Sequence, residues 1–186
     1  ALSSTEEQLF RNYVSAGGRL IAMRPDTGLS DLFGVSFVGV RPEQLQQYFA
    51  VDTGSQPGSG IVGASLQYHG AADNYTLAGA VSMARLYDNI STPSTNPAAS
   101  LNVFGAGQAA AFTFDLAKSI VLTRQGNPAW KDIEGDGLGG YRPMDLFRRT
   151  NGDSYFDPVR LPIPQADEEQ RFFATLAYGR FLGFVA

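Results

Sequence analysis

Apolar positions along this chain recur first at helical and then at strand spacing. Ser4-Thr5-Glu6-Glu7 reads as a capping box, in which the Ser4 hydroxyl and the Glu7 carboxylate satisfy amides that a helix start leaves open. Leu9, Phe10, Tyr13 and Val14 follow on one helical face, and Gly17-Gly18 ends the helix. Arg19 to Met23 is an apolar strand that runs directly into Arg24-Pro25-Asp26, and a short helix from about Leu29 to Phe33 closes at Gly34. A helix followed at once by a buried strand is the αβ half of a βαβ unit.

The pattern changes after residue 40. "LQQYFAVD", "ASLQYHG", "AVSMARLY", "SLNVFG" and "QAAAFTFD" are short β-like runs between turn-rich stretches such as "TGSQPGSG" and "STPSTNPAAS". Their spacing predicts antiparallel or mixed strands at a sheet edge. "LAKSIVLTRQG" then reads as a helix with Leu116, Ile120 and Val121 on one side, stopped by Gly126 and Pro128. Residues 127–164 carry Gly and Pro throughout and read as a long functional or docking loop. The chain closes with "ADEEQRFFATLAYGRFL", acidic at its start, with Phe173, Leu176, Ala177 and Phe181 at core spacing.

These segments form one domain over 1–186: a βα-type segment at 1–39, a strand-rich segment at 40–115, and a helix, long loop and final helix at 116–186. The opening helix has no strand before it. That points to a domain whose first strand lies upstream, or to a small and largely antiparallel sheet.

Composition narrows the chemistry. Hydrophobic residues make up 44% and charged residues 17%, against about 25% charged in typical domains, so the chain folds rather than staying disordered. Fourteen Lys/Arg against eighteen Asp/Glu leave a net charge of −4, and no basic run is present. That argues against nucleic acid or an anionic membrane surface as partner. With no cysteine, thiolate metal sites and cysteine nucleophiles are excluded within these residues. No apolar run approaches the roughly 18 residues of a membrane-spanning helix.

Few residues are placed to do chemistry. His69 is the lone histidine, so any Ser-His-Asp arrangement must use it as base; a turn histidine bonded to backbone is the plainer alternative. Arg24 and Asp26 stand where the first strand ends, as a clamp for a carboxylate or as turn and cap residues. Asp115 ends the "AAAFTF" run with Lys118 one turn on, at a cleft mouth or as a helix cap.

Asp132-Ile133-Glu134-Gly135-Asp136-Gly137 resembles the start of a calcium loop, with Asp132, Glu134 and Asp136 at alternate positions and glycine at the sixth. Its twelfth position is Pro143, which cannot supply the closing carboxylate, and Asp145 lies two residues beyond. Trp130, Tyr141 and Phe147 would stack on a sugar or fold the loop onto the core. Calcium is the only cofactor this pattern suggests.

"YVSAGGRLIAMRPD", "GQAAAFTFDLAKSIVLTRQGNPAW" and "IPQADEEQRFFATL" together resemble the class I glutamine amidotransferase-like domain of large, multidomain, secreted bacterial proteins. The resemblance implies a flavodoxin-like α/β sheet flanked by helices, with additional antiparallel edge strands and an extracytoplasmic location. Catalytic relatives place a Cys or Ser on a strand-to-helix elbow beside a His and a carboxylate. This chain has neither a Cys nor a G-x-S-x-G elbow.

The expectation is therefore a non-catalytic accessory module whose partners are other domains of a parent protein. Two alternatives stand beside it. One is a hydrolase of amides or glycosides using Asp115 with Asp26 or Asp132. The other is a calcium-stabilised carbohydrate-binding module.

Overall fold

The computed structural model describes residues 1–44, 47–63, 65–89, 91–125 and 162–181. Helix α1 spans Ser4–Ser15 and β1 spans Arg19–Met23, followed by a 3-10 turn at Thr27–Leu29. The strands continue as β2 (Val35–Arg41), β3 (Tyr48–Val51), β4 (Leu66–Gln67), β5 (Ala72–Leu77), β6 (Val81–Tyr87), β7 (Pro93–Phe104) and β8 (Gly107–Phe112). Two helices close the described chain. They are α2 (Leu116–Gln125) and α3 (Pro162–Thr175), the latter running on into a wider-wound turn at Leu176–Phe181.

The capping box lies one residue earlier than the sequence suggests. Ser3 accepts from the Glu6 amide at 3.4 Å, while Glu6 Oε2 accepts from the Ser3 amide at 2.8 Å. Both Ser-x-x-Glu pairs fit the motif; Glu7 instead turns to Arg11, 3.4 Å away. Of the expected apolar face only Val14 is fully buried, and Leu9 and Tyr13 are exposed. Leu29 ends the 3-10 segment, and Ser30 to Phe33 form turns rather than the expected helix.

Six strands form one sheet in the order β1-β8-β7-β6-β3-β4, and β2 pairs with β5 in a separate two-stranded sheet. Only the β1–β8 pairing is parallel; the other four in the large sheet are antiparallel. A flavodoxin-like sheet is mostly parallel, each strand joined to the next through a helix. Here the strands from β3 to β8 follow one another with no described helix between them, so the expected flavodoxin-like sheet is corrected to a mixed, mainly antiparallel one.

Strand β8 is buried on both faces. Ala110 and Phe112 enter a core with Phe49, Leu66, Leu86, Phe114, Leu116, Phe172 and Leu176, beneath α2 and α3. Ala109 and Ala111 enter a second core with Val14, Leu32, Phe33, Val35 and Tyr75, on the side of α1 and β2. Alternation sends successive residues to opposite faces.

The small residues serve close packing. A Cβ at Gly107 would meet the Val14 carbonyl oxygen at 2.1 Å, so α1 reaches the β7–β8 hairpin only because that position is glycine. On α2, Leu116 is buried and Ile120 packs on the core, whereas Val121 is 48% exposed. On the last helix Phe172, absent from the expected core set, is fully buried, and Phe173 is only partly so.

Candidate functional site at the ends of β1 and β8

The parallel pairing brings the carboxyl ends of β1 and β8 together, with Met23 beside Phe112. The chain leaves β1 through Arg24, whose amide donates to the Phe112 carbonyl at 2.8 Å. Arg24 has φ +49, the only positive value at a non-glycine among the described residues. That conformation costs about 1–3 kcal/mol. It is also unfavourable for a residue preceding proline.

The turn aims the guanidinium at Asp73 of β5, with Nη2 2.7 Å from Oδ1 and Nε 3.2 Å from Oδ2. Asp73 is 7% exposed, and its own amide donates to the Thr113 carbonyl at 2.7 Å. The Asp73 hydrogen bonds hold the Arg24 proton more tightly than usual, with smaller help from the Asp73, Tyr75 and Asp115 fields. Tyr75, two residues along β5, donates to the Pro25 carbonyl at 3.3 Å, and burial pushes its hydroxyl up to about 12.

Asp115 and Lys118 complete the rim. Asp115 Oδ1 accepts from the Lys118 amide at 2.9 Å, capping α2. Among the described residues its second oxygen accepts no hydrogen bond. The Lys118 ammonium lies beside Gly70; a Cβ built there would stand 3.9 Å from Nζ. Arg24, Asp73, Asp115 and Lys118 therefore share one rim, drawn from three segments far apart in sequence.

Asp26 serves structure. Its Oδ1 accepts from the Gly28 amide at 3.0 Å and its Oδ2 from the Leu2 amide at 2.8 Å. These two bonds, Gly28 first, hold its carboxyl below the usual range. With both oxygens engaged, it is poorly placed as a second catalytic carboxylate.

His69 is 1% exposed, and burial lowers its imidazole to about 3, so it is neutral at pH 7. Its main-chain N–H donates to Ser119 Oγ at 3.1 Å, and Ser119 donates in turn to Glu169 Oε1 at 3.1 Å. Serine, histidine and carboxylate thus adjoin, but the serine is met by the backbone of His69 and all three are buried from solvent. A nucleophile must face its substrate.

Trp130, Asp132, Glu134, Asp136, Tyr141 and Phe147 lie outside the described residues. Among those described, no three His, Cys, Asp or Glu side chains group as metal ligands, and no helix is long and apolar enough to cross a membrane.

Asp73 is the rim residue that sequence reading missed. An aspartate inside the run Ala72–Leu77 is the signal that could have found it, because Asp is depleted in strands unless something holds it there. Ser119 and Glu169 carried no signal beyond helical spacing.

No family model matches the chain, and no curated protein does. Solved structures do resemble parts of it. A beta-galactosidase from Rahnella sp. R3 is 20% identical with TM-score 0.49, over 60% of this chain and 18% of that one. The exo-beta-1,4-mannosidase Op5Man5 from Opitutaceae bacterium strain TAV5 is 18% identical with TM-score 0.47, over 66% and 20%. Agd3, a carbohydrate deacetylase, is 23% identical with TM-score 0.44, over 65% and 20%.

The chain thus spans about a fifth of the length of these structures, at a likeness too loose to assign an activity. They are glycosidases and a deacetylase rather than glutamine amidotransferases. The mainly antiparallel sheet corrects the amidotransferase resemblance, and the accessory module inferred from it is withdrawn.

Proposed function

We propose that the rim at the ends of β1 and β8 binds a carbohydrate, and that the chain works as a carbohydrate-directed domain. One observation supports this above all. Arg24 is held in a strained backbone conformation against a nearly buried carboxylate, Asp73, with Asp115 and Lys118 beside it. Such strain persists only where the surroundings impose it, and it clusters at ligand sites.

The chemistry fits sugar hydroxyls, each of which both donates and accepts. A guanidinium carries five N–H donors; Asp73 engages two, on Nε and Nη2, and the side chain remains about a third exposed. Asp115 supplies an acceptor and Lys118 further donors.

Calorimetric titration with galactose, mannose, N-acetylglucosamine and their short oligomers tests the reading. At least one should bind with Kd in the millimolar range or tighter, and Arg24→Ala or Asp115→Asn should weaken it at least tenfold. Absence of binding by every saccharide at millimolar concentration would reject it.

A second reading rests on the Asp115 oxygen that no described residue engages. At the mouth of the rim this carboxylate is placed to act as general acid or base in hydrolysing a glycosidic or amide bond of the bound sugar. Hydrolysis of nitrophenyl glycosides or N-acetylated sugars, lost in Asp115→Asn, would support it. Turnover that survives this change would place the chemistry elsewhere.

A further inference from the structure

Helix α3 carries an unusual row of polar contacts. Asp167 pairs with Arg124 of α2, and Glu168 Oε1 accepts from the Val62 and Gly63 amides at 2.6 and 3.1 Å. Arg171 donates to the Gly60 carbonyl at 3.1 Å. Between them Glu169 turns inward, fully buried, and takes the Ser119 hydroxyl of α2. The run read from sequence as an acidic helix start is a docking face in mid-helix, since α3 begins at Pro162.

Glu169 differs from its neighbours because, among the described residues, no cation pairs with it. Among the described residues its Oε2 accepts no hydrogen bond, and buried Thr123 Oγ1, one turn beyond Ser119 on α2, does not reach it. An ionised carboxylate in that setting is strongly disfavoured, whereas the protonated acid is tolerated.

Among the described residues the groups around it are few. From α2 come Ser119 and Thr123, with Lys118 and Arg124 exposed outside the seam. After β4 comes His69, whose amide holds the same serine. The sheet offers the Phe112 ring, 5.8 Å from that of Phe172 on α3.

We propose that the Glu169–Ser119 contact is a proton-operated clasp: the protonated carboxyl seats α3 on α2 and the sheet, and its ionisation releases α3. Burial, only partly offset by the Ser119 bond, raises the carboxyl well above its ordinary 4.5. The contribution to docking is therefore complete below pH about 4.5 and is lost as pH rises through the higher folded value. Ser119 follows Lys118 on α2, so the clasp holds the helix whose first turn forms the rim.

Amide hydrogen exchange tests this directly. With intrinsic rates corrected, protection of the α3 amides should fall at least tenfold between pH 5.5 and 8.5, relative to those of β7 and β8. In Glu169→Gln, which keeps an acceptor for Ser119 but cannot ionise, the fall should disappear. Constant α3 protection in the native chain, or an undiminished fall in the Gln variant, overturns the clasp. Should the variant fail to fold, carboxyl-carbon NMR on the native chain decides. A Glu169 signal still protonated at pH 6 supports the proposal, and ordinary titration near 4.5 refutes it.

Discussion

Two polar clusters stand about one helical turn apart on α2, and both are built around a carboxylate. At the rim Asp73 meets Arg24 in a two-pronged ion pair, and the guanidinium stays partly in water. In the seam Glu169 meets only a serine hydroxyl and is sealed from water. Both carboxylates are buried, and the cation decides the difference. A carboxylate with a cation keeps its charge and can present it to a ligand; one without a cation keeps its proton instead. The first arrangement is suited to binding, the second to sensing pH.

Phe112 joins the two regions, and changing it breaks the comparison most severely. Its carbonyl anchors Arg24, while its ring supports Phe172 and Phe173 of α3. Phe112→Ala should cost about 3–5 kcal/mol in denaturant unfolding. It should disturb saccharide binding and α3 protection together.

Asp73→Asn separates the clusters. It removes the partner of Arg24 and should cost about 1–2 kcal/mol, discounted for the exposure of the guanidinium. Affinity at the rim should fall at least tenfold while the pH dependence of α3 remains as in the native chain.

The pH profile sharpens the contrast further. His69, lowered to about 3 in the fold, contributes stability that is complete above its ordinary 6.5 and is lost as pH falls toward 3. Glu169 contributes in the opposite sense. Thermal melts should therefore show a plateau between about pH 4.5 and 6.5, where the two slopes oppose, with a decline on each side. Glu169→Gln should remove the alkaline decline and leave the acid one.

The smallest effect isolates strain. Arg24→Gly and Arg24→Ala both delete the ion pair, but glycine accepts φ +49 freely. The Gly variant should be the more stable by about 1 kcal/mol in chemical denaturation. Equal stabilities would mean that the backbone at Arg24 is not strained.

Much of the local structure was legible in the chain because local signals fix it. Gly17-Gly18 ends α1, and "QAAAFTF" reads as a strand, although the spacing places it at a sheet edge whereas it lies between β1 and β7. Pairing was not legible. Nothing local tells Val35–Arg41 that its partner is Ala72–Leu77, and this segment, with a register irregularity between Phe37 and Gly39, was not read as a strand.

The same limit hid one of the four rim residues. Arg24, Asp115 and Lys118 stand at strand and helix ends, which pattern can find, whereas Asp73 reaches them through a long-range sheet contact. The amidotransferase resemblance failed on topology: apolar runs specify strands but not whether neighbours lie parallel.

The most direct measurement of the central claim is the NMR signal of the Arg24 side-chain Nε–H during titration with a saccharide. Arg11, whose Nε is bound to Asp31 at 2.9 Å, is the internal control. Carbohydrate binding at the rim predicts that the Arg24 signal shifts with the binding isotherm while that of Arg11 stays still. A bound saccharide that leaves Arg24 unmoved, or a chain that binds none, would contradict it.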